Sequence, residues 1–372
     1  MSYLGKDIPK LGFGLMRLPM REKQIDIEQT KTMVDKFLAA GFTYFDTAYG
    51  YNSGKSEEAA KIALIDRYPR EKFQFATKLP AWAGAKNADD AKQMFFTSLE
   101  RTGAGYFDFY LLHNCGAKRT KAFDDFGIWD FVLEQREKGL VKHVGFSFHD
   151  TADVLDDLLT KHPEMEFVQL QINYADWFNP AIQSAKCFET VVKHGKSVVI
   201  MEPVKGGLLA KPMPQIAQIL SEANPNVTPS SWAIRFAASL DNVVTVLSGM
   251  SDIAQMEDNL ATMSDFRPLN GAEYAVIDKA RDVLNSVENI PCTKCNYCVK
   301  GCPQEIVIPD IFHAMNQYLV FGSLAAAKGL YGFYTMSGGG GDQCIECGQC
   351  ESVCPQHIPI PRELKRVMAA FA

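Results

Sequence analysis

Short apolar segments alternate with amphipathic segments along most of this chain, and no other feature restricts the fold as strongly. The apolar segments are rich in β-branched and aromatic residues, whereas the segments between them have apolar residues at helical spacing. One segment, 26–41, begins with an acidic N-cap and ends at a glycine, as a complete helix does. The predicted strands are residues 11–14, 42–47, 73–78, 107–113, 141–147, 167–172, 197–202 and 243–248.

Helical segments separate the predicted strands. Further helices are predicted near 54–67, 89–102, 124–138 and 151–161, and two more with Asn179–Pro180 and Thr228–Pro229 as N-cap and first position. Eight apolar strands that alternate with helices suit a parallel sheet covered by helices, and eight is the number that closes a (β/α)8 TIM barrel. Residues 1–290 are therefore predicted to form this α/β barrel. An open doubly wound sheet is the alternative, although no GxGxxG follows a predicted strand.

Length and charge exclude several classes of protein. The 372 residues suffice for a barrel and a small second domain, and the net charge of −6 argues against a nucleic-acid partner. The N-terminal sequence has no basic segment followed by an apolar one, and the apolar segment 319–333 is short and contains Lys328. We therefore expect a cytoplasmic protein without a membrane partner, whose oligomeric state the sequence leaves open.

Polar residues end six of the predicted strands, where the chemistry of a barrel collects. These residues are Asp46, Lys78, His113, Ser147, Gln171 and Glu202. Any one of them has an ordinary explanation, because strands must end in water. The first three form a chemical set with Tyr51, which lies in the loop after Asp46.

This set of four suits the protonation of an oxygen atom while hydride reaches a carbon atom. An ammonium such as that of Lys78 stabilises a phenolate and lowers the pKa of a neighbouring tyrosine. Asp46 is expected to pair with this lysine. His113 is expected to bind the oxygen of a substrate carbonyl.

The stretches FDTAYGY, FATK and DFYLLH contain the four residues and resemble the aldo-keto reductase family, over about residues 8–290. The resemblance implies the family's catalytic tetrad at Asp46, Tyr51, Lys78 and His113, with Tyr51 as the general acid. It also implies that the protein interconverts a small-molecule carbonyl and an alcohol by hydride transfer, with NADP or NAD bound across the mouth of a barrel.

The same resemblance assigns residues to the nucleotide, with Ser147 and Gln171 at the carboxamide. The predicted cofactor set is Gly14, Met16, Asp46, Ser147, Gln171, Met201, Pro203, Gly206, Gly207, Leu208, Gly249, Met250, Ser251, Gln255 and Asn259. Three departures from the family stand out. Phe148 follows Ser147, where the family often has an asparagine. Met201 replaces an aromatic residue that often stacks on the nicotinamide, and residues 248–259 lack the basic residues that commonly bind a 2′-phosphate. We therefore expect no strong preference for NADP over NAD.

Two copies of one cysteine spacing, CxxCxxCxxxCP, follow the barrel pattern. The predicted iron ligands are Cys292, Cys295, Cys298, Cys302, Cys344, Cys347, Cys350 and Cys354. In this pattern three close thiolates bind one [4Fe-4S] cluster and the fourth binds the other, so Cys302 is expected to complete the second cluster and Cys354 the first. Zinc is the alternative, but a zinc site needs only four thiolates. The resemblance narrows to aldo-keto reductase-like proteins with a C-terminal iron–sulfur domain.

Residues 291–372 are predicted to form a mainly α-helical, ferredoxin-like domain, with a helix at 308–322 and a flexible link at SGGGGD, 337–342. A hydride carries two electrons whereas a cluster normally accepts one, so a flavin on a partner protein is an expected intermediary. The expected redox partner is a flavoprotein or a ferredoxin. Two alternatives stay open: a nucleotide-binding protein for electron transfer or redox sensing, and clusters that are purely structural.

Overall fold

The computed structural model describes residues 4–117, 119–180, 182–287, 289–290, 292, 297–352, 354 and 358–372. The chain divides into two compact units. The first consists of Met1–Ala210 and Asn224–Tyr274, and the second of Lys211–Ala223 and Ala275–Ala372. The domain boundary predicted between residues 290 and 291 stays a prediction. Among the described residues, no helix combines the length and the apolar character needed to cross a membrane.

Eight parallel strands close a barrel in the first unit, so the predicted (β/α)8 TIM barrel is confirmed. The strands are β1 (Leu11–Gly14), β2 (Met20–Arg21), β3 (Gln24–Ile25), β4 (Tyr44–Asp46), β5 (Gln74–Leu79), β6 (Phe107–Cys115), β7 (Val141–Phe148), β8 (Phe167–Gln171), β9 (Ser197–Met201) and β10 (Val243–Ser248). The strands β2 and β3 form a separate antiparallel hairpin. The other eight follow one another around the barrel, and β10 pairs with β1.

The first eleven α-helices are α1 (Ile27–Ala39), α2 (Lys55–Ala60), α3 (Ala88–Thr102), α4 (Thr120–Asp125), α5 (Ile128–Glu137), α6 (Ala152–Lys161), α7 (Ser184–Lys193), α8 (Pro214–Ala223), α9 (Pro229–Ala238), α10 (Ile253–Ser264) and α11 (Gly271–Ser286). Two predicted N-caps are present. The Asp26 carboxylate accepts a hydrogen bond from Gln29 N, and the Thr228 side chain accepts one from Ser231 N. Each cap satisfies a backbone donor that the first helical turn leaves free.

Two predicted helices were wrong in detail. The segment predicted near 124–138 is two helices, α4 and α5, because Gly127 has a left-handed φ of 61° and interrupts the helical path. The helix after β8 begins at Ser184 rather than at Pro180, because Gln183 is also left-handed, with a φ of 56°. Asn179 instead accepts a hydrogen bond from Ile182 N at 3.4 Å, within a turn.

Aromatic side chains fill the barrel near the amino ends of its strands. The rings of Tyr44 and Phe109 lie 5.0 Å apart, those of Phe109 and Phe167 lie 5.2 Å apart, and all three are buried. Side chains alternate along a strand, so Asp46 and Gln169 point into the same interior two residues later. The interior therefore changes from aromatic to polar toward the carboxyl ends of the strands.

The second unit is mainly α-helical around the cysteine-rich segment, as predicted. Its further helices are α12 (Tyr297–Lys300), α13 (Ile308–Phe321), α14 (Leu324–Thr335), α15 (Gln349–Ser352) and α16 (Ile360–Phe371). The apolar core between α13 and α16 includes Ile311, Phe312, Leu364 and Val367. The predicted helix at 308–322 is therefore present, and it ends at Gly322 with a φ of 69°.

The SGGGGD stretch is packed and is not the flexible link that its composition predicted. Gly339 N donates to Glu305 O at 2.9 Å, and Val307 N donates to Gly339 O at 3.2 Å. A Cβ atom on Gly339 would lie 2.3 Å from Gln304 O. Glycine is needed here because two backbone segments approach too closely for any side chain.

Candidate active site

Lys78 and Asp46 form a buried ion pair at the ends of β5 and β4. Lys78 Nζ donates to Asp46 Oδ1 at 2.5 Å and to Thr47 O at 2.7 Å, and no part of the lysine is exposed. Burial works to lower the pKa of Lys78, but the Asp46 carboxylate and the Tyr51 phenol outweigh it, so the pKa lies above its usual value. Lys78 is therefore an ammonium at neutral pH.

Gln169 supports Asp46 from the opposite side of the barrel, and the sequence analysis missed it. Gln169 Nε2 donates to Asp46 Oδ2 at 3.2 Å. Burial raises the pKa of Asp46, and the ammonium of Lys78 opposes this rise. The available signal was a polar residue at an inward position of the apolar strand FVQLQ.

Tyr51 lies at the start of a 3-10 turn, Tyr51–Gly54, just beyond β4. Asn52 and Ser53 have left-handed φ values of 50° and 55°, so the chain turns tightly directly after Tyr51. The Tyr51 Oη atom lies 3.3 Å from Lys78 Nζ. Burial raises the pKa of Tyr51, while the Lys78 ammonium acts to lower it. Lys78 acts on the pKa of Tyr51 in the expected direction, but the opposite effect of burial on this pKa is larger. The phenol therefore keeps its proton at neutral pH.

His113 stands beside Tyr51, with ring centroids 5.7 Å apart and the rings nearly perpendicular. Its Nδ1 atom is buried and has no hydrogen-bond partner within the described residues. Burial and the nearby Lys78 ammonium hold the pKa of His113 well below its usual range. A neutral imidazole carries one N–H donor, which is suited to bind a carbonyl oxygen. The structure thus brings all four residues of the predicted tetrad together.

The residues assigned to the nicotinamide end lie at the carboxyl ends of several strands. Ser147 Oγ accepts a hydrogen bond from Asn114 N at 2.7 Å. Gln171 Nε2 donates to Asp176 Oδ2 at 3.1 Å. Others of this set lie at or just beyond strand ends: Gly14, Met16, Met201 and Pro203. Met16 is 55% exposed, so its side chain is open to a ligand.

A second buried ion pair, which the sequence analysis missed, lies beyond β8 and β9. Lys205 Nζ donates to Asp176 Oδ1 at 2.5 Å, and Asn173 Nδ2 donates to Asp176 Oδ2 at 3.0 Å. Burial works to raise the pKa of Asp176, but Lys205 and these hydrogen bonds outweigh it, so the pKa lies below its usual value. Lys205 is thereby occupied within the protein rather than free for a ligand.

The Lys205–Asp176 pair anchors the loop that the resemblance assigns to the pyrophosphate. Lys205, Gly206 and Gly207 all have left-handed φ values, of 49°, 64° and 100°. A Cβ atom on Gly207 would meet no atom within 4 Å, so open space adjoins the backbone there. Leu208 follows and is half-buried. The loop therefore offers a backbone surface that a phosphate group can approach.

The residues assigned to the adenosine half meet where β10 ends and α10 begins. Asn259 Nδ2 donates to Ser248 Oγ at 2.6 Å, and Ser251 N donates to Gln255 Oε1 at 2.9 Å. Met250 is buried, so its side chain belongs to the core rather than to an open surface. Gly249 lies in the same short connection between β10 and α10.

Arg17 joins the last two groups, and the sequence analysis missed it. A Cβ atom on Gly206 would lie 3.3 Å from Arg17 Nη2, and one on Gly249 would lie 3.2 Å from Arg17 Cδ. Arg17 is exposed and, within the described part of the chain, forms no ion pair. Residues 248–259 contain no basic residue, whereas Arg17 follows β1 and is distant from them in sequence.

Four of the eight predicted iron ligands line one cavity in the second unit: Cys302, Cys344, Cys347 and Cys350. This set unites the last cysteine of the first run with three of the second. Among the described residues, no three His, Cys, Asp or Glu side chains are close enough to hold a single metal ion. The thiolates of a cubane bind different iron atoms, so a cluster does not require three ligands around one ion.

The other cysteines are less informative. Cys298 is buried, and Cys292 and Cys354 are half-buried. Cys295 lies outside the described residues.

Comparison with known proteins identifies both parts of the chain. Residues 10–282 match the model of the aldo/keto reductase family, and residues 291–358 match that of a 4Fe-4S dicluster domain. The chain therefore belongs to the aldo/keto reductase family of NAD(P)-dependent oxidoreductases and carries a 4Fe-4S dicluster domain. The resemblance seen in the sequence is confirmed.

Individual relatives match the barrel part. An aldo-keto reductase of Mycobacterium avium is 27% identical over 254 residues, which are 68% of this chain and 80% of the relative. The holo form of an aldo-keto reductase from Bacillus halodurans is 25% identical with a TM-score of 0.61, covering 75% of this chain and 95% of that one. An aldo-keto reductase from Klebsiella pneumoniae in complex with NADPH is 19% identical with a TM-score of 0.58. The match covers 75% of this chain and 95% of that one.

Proposed function

We propose that the barrel interconverts a carbonyl and an alcohol on a small molecule, with Tyr51 as the proton donor. The observation that carries this proposal is the contact between the Tyr51 hydroxyl and the Lys78 ammonium, beside a neutral His113. Lys78 is itself held by the buried carboxylate of Asp46. The arrangement combines a protonated acid with a group that stabilises its conjugate base.

In the reducing direction, the carbonyl oxygen binds to the Tyr51 hydroxyl and to the imidazole of His113. A nicotinamide bound at the barrel mouth would supply the hydride that the carbonyl carbon receives. As negative charge develops on the oxygen, Tyr51 transfers its proton there, and Lys78 stabilises the resulting phenolate at 3.3 Å. The product is a neutral alcohol, and Tyr51 regains its proton from water.

The nucleotide fits residues that lie around the barrel mouth. The backbone at Gly206 and Gly207 would lie along the pyrophosphate, and Ser147 and Gln171 would hold the carboxamide. Arg17, between the pyrophosphate and adenosine groups, is the cation best placed for a phosphate of the nucleotide. Because Arg17 supplies a cation that residues 248–259 lack, we now propose NADP(H) as the preferred form.

An assay of the full chain, purified without oxygen, tests the proposal. Consumption of NADPH or NADH is followed with a panel of aldehydes and ketones, and the alcohol product is identified by mass spectrometry. We expect turnover with at least one carbonyl compound and a lower KM for NADPH than for NADH. Stoichiometric nucleotide binding without turnover of any carbonyl or alcohol would instead support a redox-sensing protein.

The second unit is proposed to hold two [4Fe-4S] clusters. Cys344, Cys347 and Cys350 would bind one cluster together with Cys302, and the four thiols lining one cavity support this set. Cys292, Cys295, Cys298 and Cys354 would bind the other. Iron and sulfide analysis should give about eight of each per chain. About four of each would contradict the second cluster.

The clusters are proposed to exchange single electrons with a separate flavin-containing or ferredoxin-like partner. A hydride donor delivers two electrons together, so it is poorly matched to one-electron acceptors. Stopped-flow absorption without oxygen tests this on protein checked for bound flavin. We expect no cluster bleaching by NADPH within one turnover. Rapid bleaching would remove the need for a partner, and resistance to a strong chemical reductant would favour structural clusters.

A further inference from the structure

An exposed guanidinium near the tetrad takes no part in the proposed proton transfer. Arg119 precedes α4, in the loop that follows β6, and its Cζ atom lies 4.3 Å from the ring centre of Trp82. The Trp82 side chain is 37% exposed. A guanidinium stacked on an indole is held in place while its N–H groups stay free for a ligand.

The carboxylates that follow in this part of the barrel are engaged elsewhere. Asp150 accepts hydrogen bonds from Ala117 N at 2.8 Å and from Thr151 N at 2.8 Å. Asp125 pairs with Lys121. No carboxylate of the described residues lies within ion-pair distance of Arg119. Its positive charge is therefore not neutralised by the described protein.

Trp82 connects this guanidinium to the reacting groups. Trp82 Nε1 donates to His113 O at 2.6 Å, and the indole and imidazole ring centres lie 6.4 Å apart. Arg119 is close enough for its charge to contribute to the lowered pKa of His113. The imidazole and the guanidinium are thus neighbours of the same indole, and a small substrate lying against it would contact both.

The other loop aromatics do not share this position. Tyr174 is fully buried, and the ring of Trp177 packs against those of Phe178, Phe188 and Phe236. Trp82 alone among these three loop residues therefore combines exposure with a contact to His113.

We propose that the carbonyl substrate carries an oxyanion group, a carboxylate or a phosphate, and that Arg119 binds this group while His113 and Tyr51 bind the carbonyl oxygen. The inference rests on the proposed carbonyl chemistry of the barrel. A planar guanidinium donates two parallel hydrogen bonds to a carboxylate or phosphate, so it would fix the distance between the oxyanion and the reacting carbonyl. Arg119 would thus act in substrate binding rather than in proton transfer.

Matched substrate pairs test the inference on the full chain with its clusters and NADPH. The pairs are 4-oxobutanoate with its methyl ester, and glyceraldehyde 3-phosphate with glyceraldehyde. We expect at least one charged member to have the lower KM. Arg119→Gln should raise that KM about tenfold to a hundredfold, because a hydrogen-bonded charge is lost, and should leave the neutral member unchanged. A lower KM for the charged member of only one pair would show whether Arg119 binds a carboxylate or a phosphate.

Two further variants separate charge from local structure. Arg119→Lys should restore part of the preference, because it keeps the charge. Lys121→Gln removes the same charge from an exposed ion pair on α4 and should leave all KM values unchanged. Equal effects of Arg119→Gln on charged and neutral members, or no preference in the wild-type protein, would overturn the inference while leaving the carbonyl chemistry intact.

Absence of turnover with all four compounds would count against the proposed function instead. The inference is then decided by titration calorimetry of 4-hydroxybutanoate and of glycerol 3-phosphate into the NADPH complex. At least one should bind to the wild-type protein and to Lys121→Gln but not to Arg119→Gln. Binding that is equal in all three proteins, or undetectable in all three, would overturn the role of Arg119.

Discussion

The barrel site and the cysteine-rich segment are specified in opposite ways. In the barrel, Asp46, Lys78 and His113 come from three different strands, and buried hydrogen bonds fix Asp46 and Lys78. In the second unit, six of the predicted ligands lie in two short triplets whose spacing is written in the sequence. Only the fourth predicted ligand of each proposed cluster comes from the other run. One site depends on the fold, and the other depends mainly on local spacing.

This difference separates two kinds of functional dependence. The barrel contacts are made by protein groups alone. A single substitution there should therefore change either the turnover number or the free energy of unfolding, and the two can be measured separately. The cysteines are proposed to bind metal, and metal binding is coupled to folding. Four substitutions distinguish these dependences.

The largest expected effect is on the proton donor of the barrel. Tyr51→Phe should lower kcat by about two to four orders of magnitude, because the general acid is lost, while nucleotide binding persists. Steady-state kinetics and NADPH titration measure the two quantities. Tyr49→Phe is the matched control, because the Tyr49 ring packs on Arg101 and Tyr49 contacts Lys78 through its backbone N–H. Near wild-type turnover in Tyr51→Phe would remove the tetrad from the mechanism.

The second buried ion pair should affect folding rather than chemistry. Asp176→Asn removes the carboxylate that is hydrogen-bonded to the buried Lys205 and should lower the free energy of unfolding by about 3–5 kcal/mol. Because the folded pKa of Asp176 is lowered, its stabilisation is present above the unfolded pKa near 4 and is lost as the pH falls through the folded value.

Urea denaturation between pH 7 and pH 3 measures both effects of Asp176. The variant should lose the part of the acid dependence that Asp176 contributes. Asp125→Asn, in the exposed pair with Lys121, is the control and should change the free energy of unfolding little. An equal response of the two variants would show that the buried pair does not anchor its loop.

A smaller effect is expected at the nucleotide phosphate. Arg17→Gln should raise the KM for NADPH about tenfold and change that for NADH less, because the guanidinium would bind a phosphate that only NADPH carries. Arg21→Gln, at an exposed position on β2, is the matched control. Equal changes for both nucleotides would place Arg17 at the shared pyrophosphate instead of the 2′-phosphate.

The smallest expected change is in metal content. Cys347→Ala should lower iron from about eight to about four atoms per chain, because one cluster loses a ligand. Cys187→Ala removes a buried thiol of the barrel and should leave the iron content unchanged. Iron is measured by plasma emission spectrometry on protein purified without oxygen. Unchanged iron in Cys347→Ala would exclude this cysteine from the ligands.

The parts of the molecule that the sequence predicted are those with a local signal. Apolar strands ended by polar residues predicted the barrel, and the FDTAYGY and FATK motifs predicted the tetrad. The contact between Gln169 and Asp46 was missed because it joins strands on opposite sides of the barrel. The Lys205–Asp176 pair was missed for a similar reason, because the two residues are far apart in sequence and no local motif links them.

Local sequence signals gave wrong predictions where a neighbouring residue or packing contact determines the structure. Asn179–Pro180 is a good helix start, but the left-handed Gln183 delays the helix. The glycines of SGGGGD suggested flexibility because composition alone does not distinguish a mobile glycine from one that allows close backbone approach. Packing against Gln304 and Val307 decides between these in the structure.

That close approach has a consequence for the assembly of the iron site. Gly339 pairs with Ile306, so the chain is joined to itself shortly after Cys302 and shortly before Cys344. Bringing the ends of a long loop together costs chain entropy, and here backbone contacts meet that cost. Cys302 is consequently held near Cys344, Cys347 and Cys350, the three thiols proposed to share its cluster. We expect metal uptake at this set to proceed by local ligand exchange, without a search by Cys302 through an open chain.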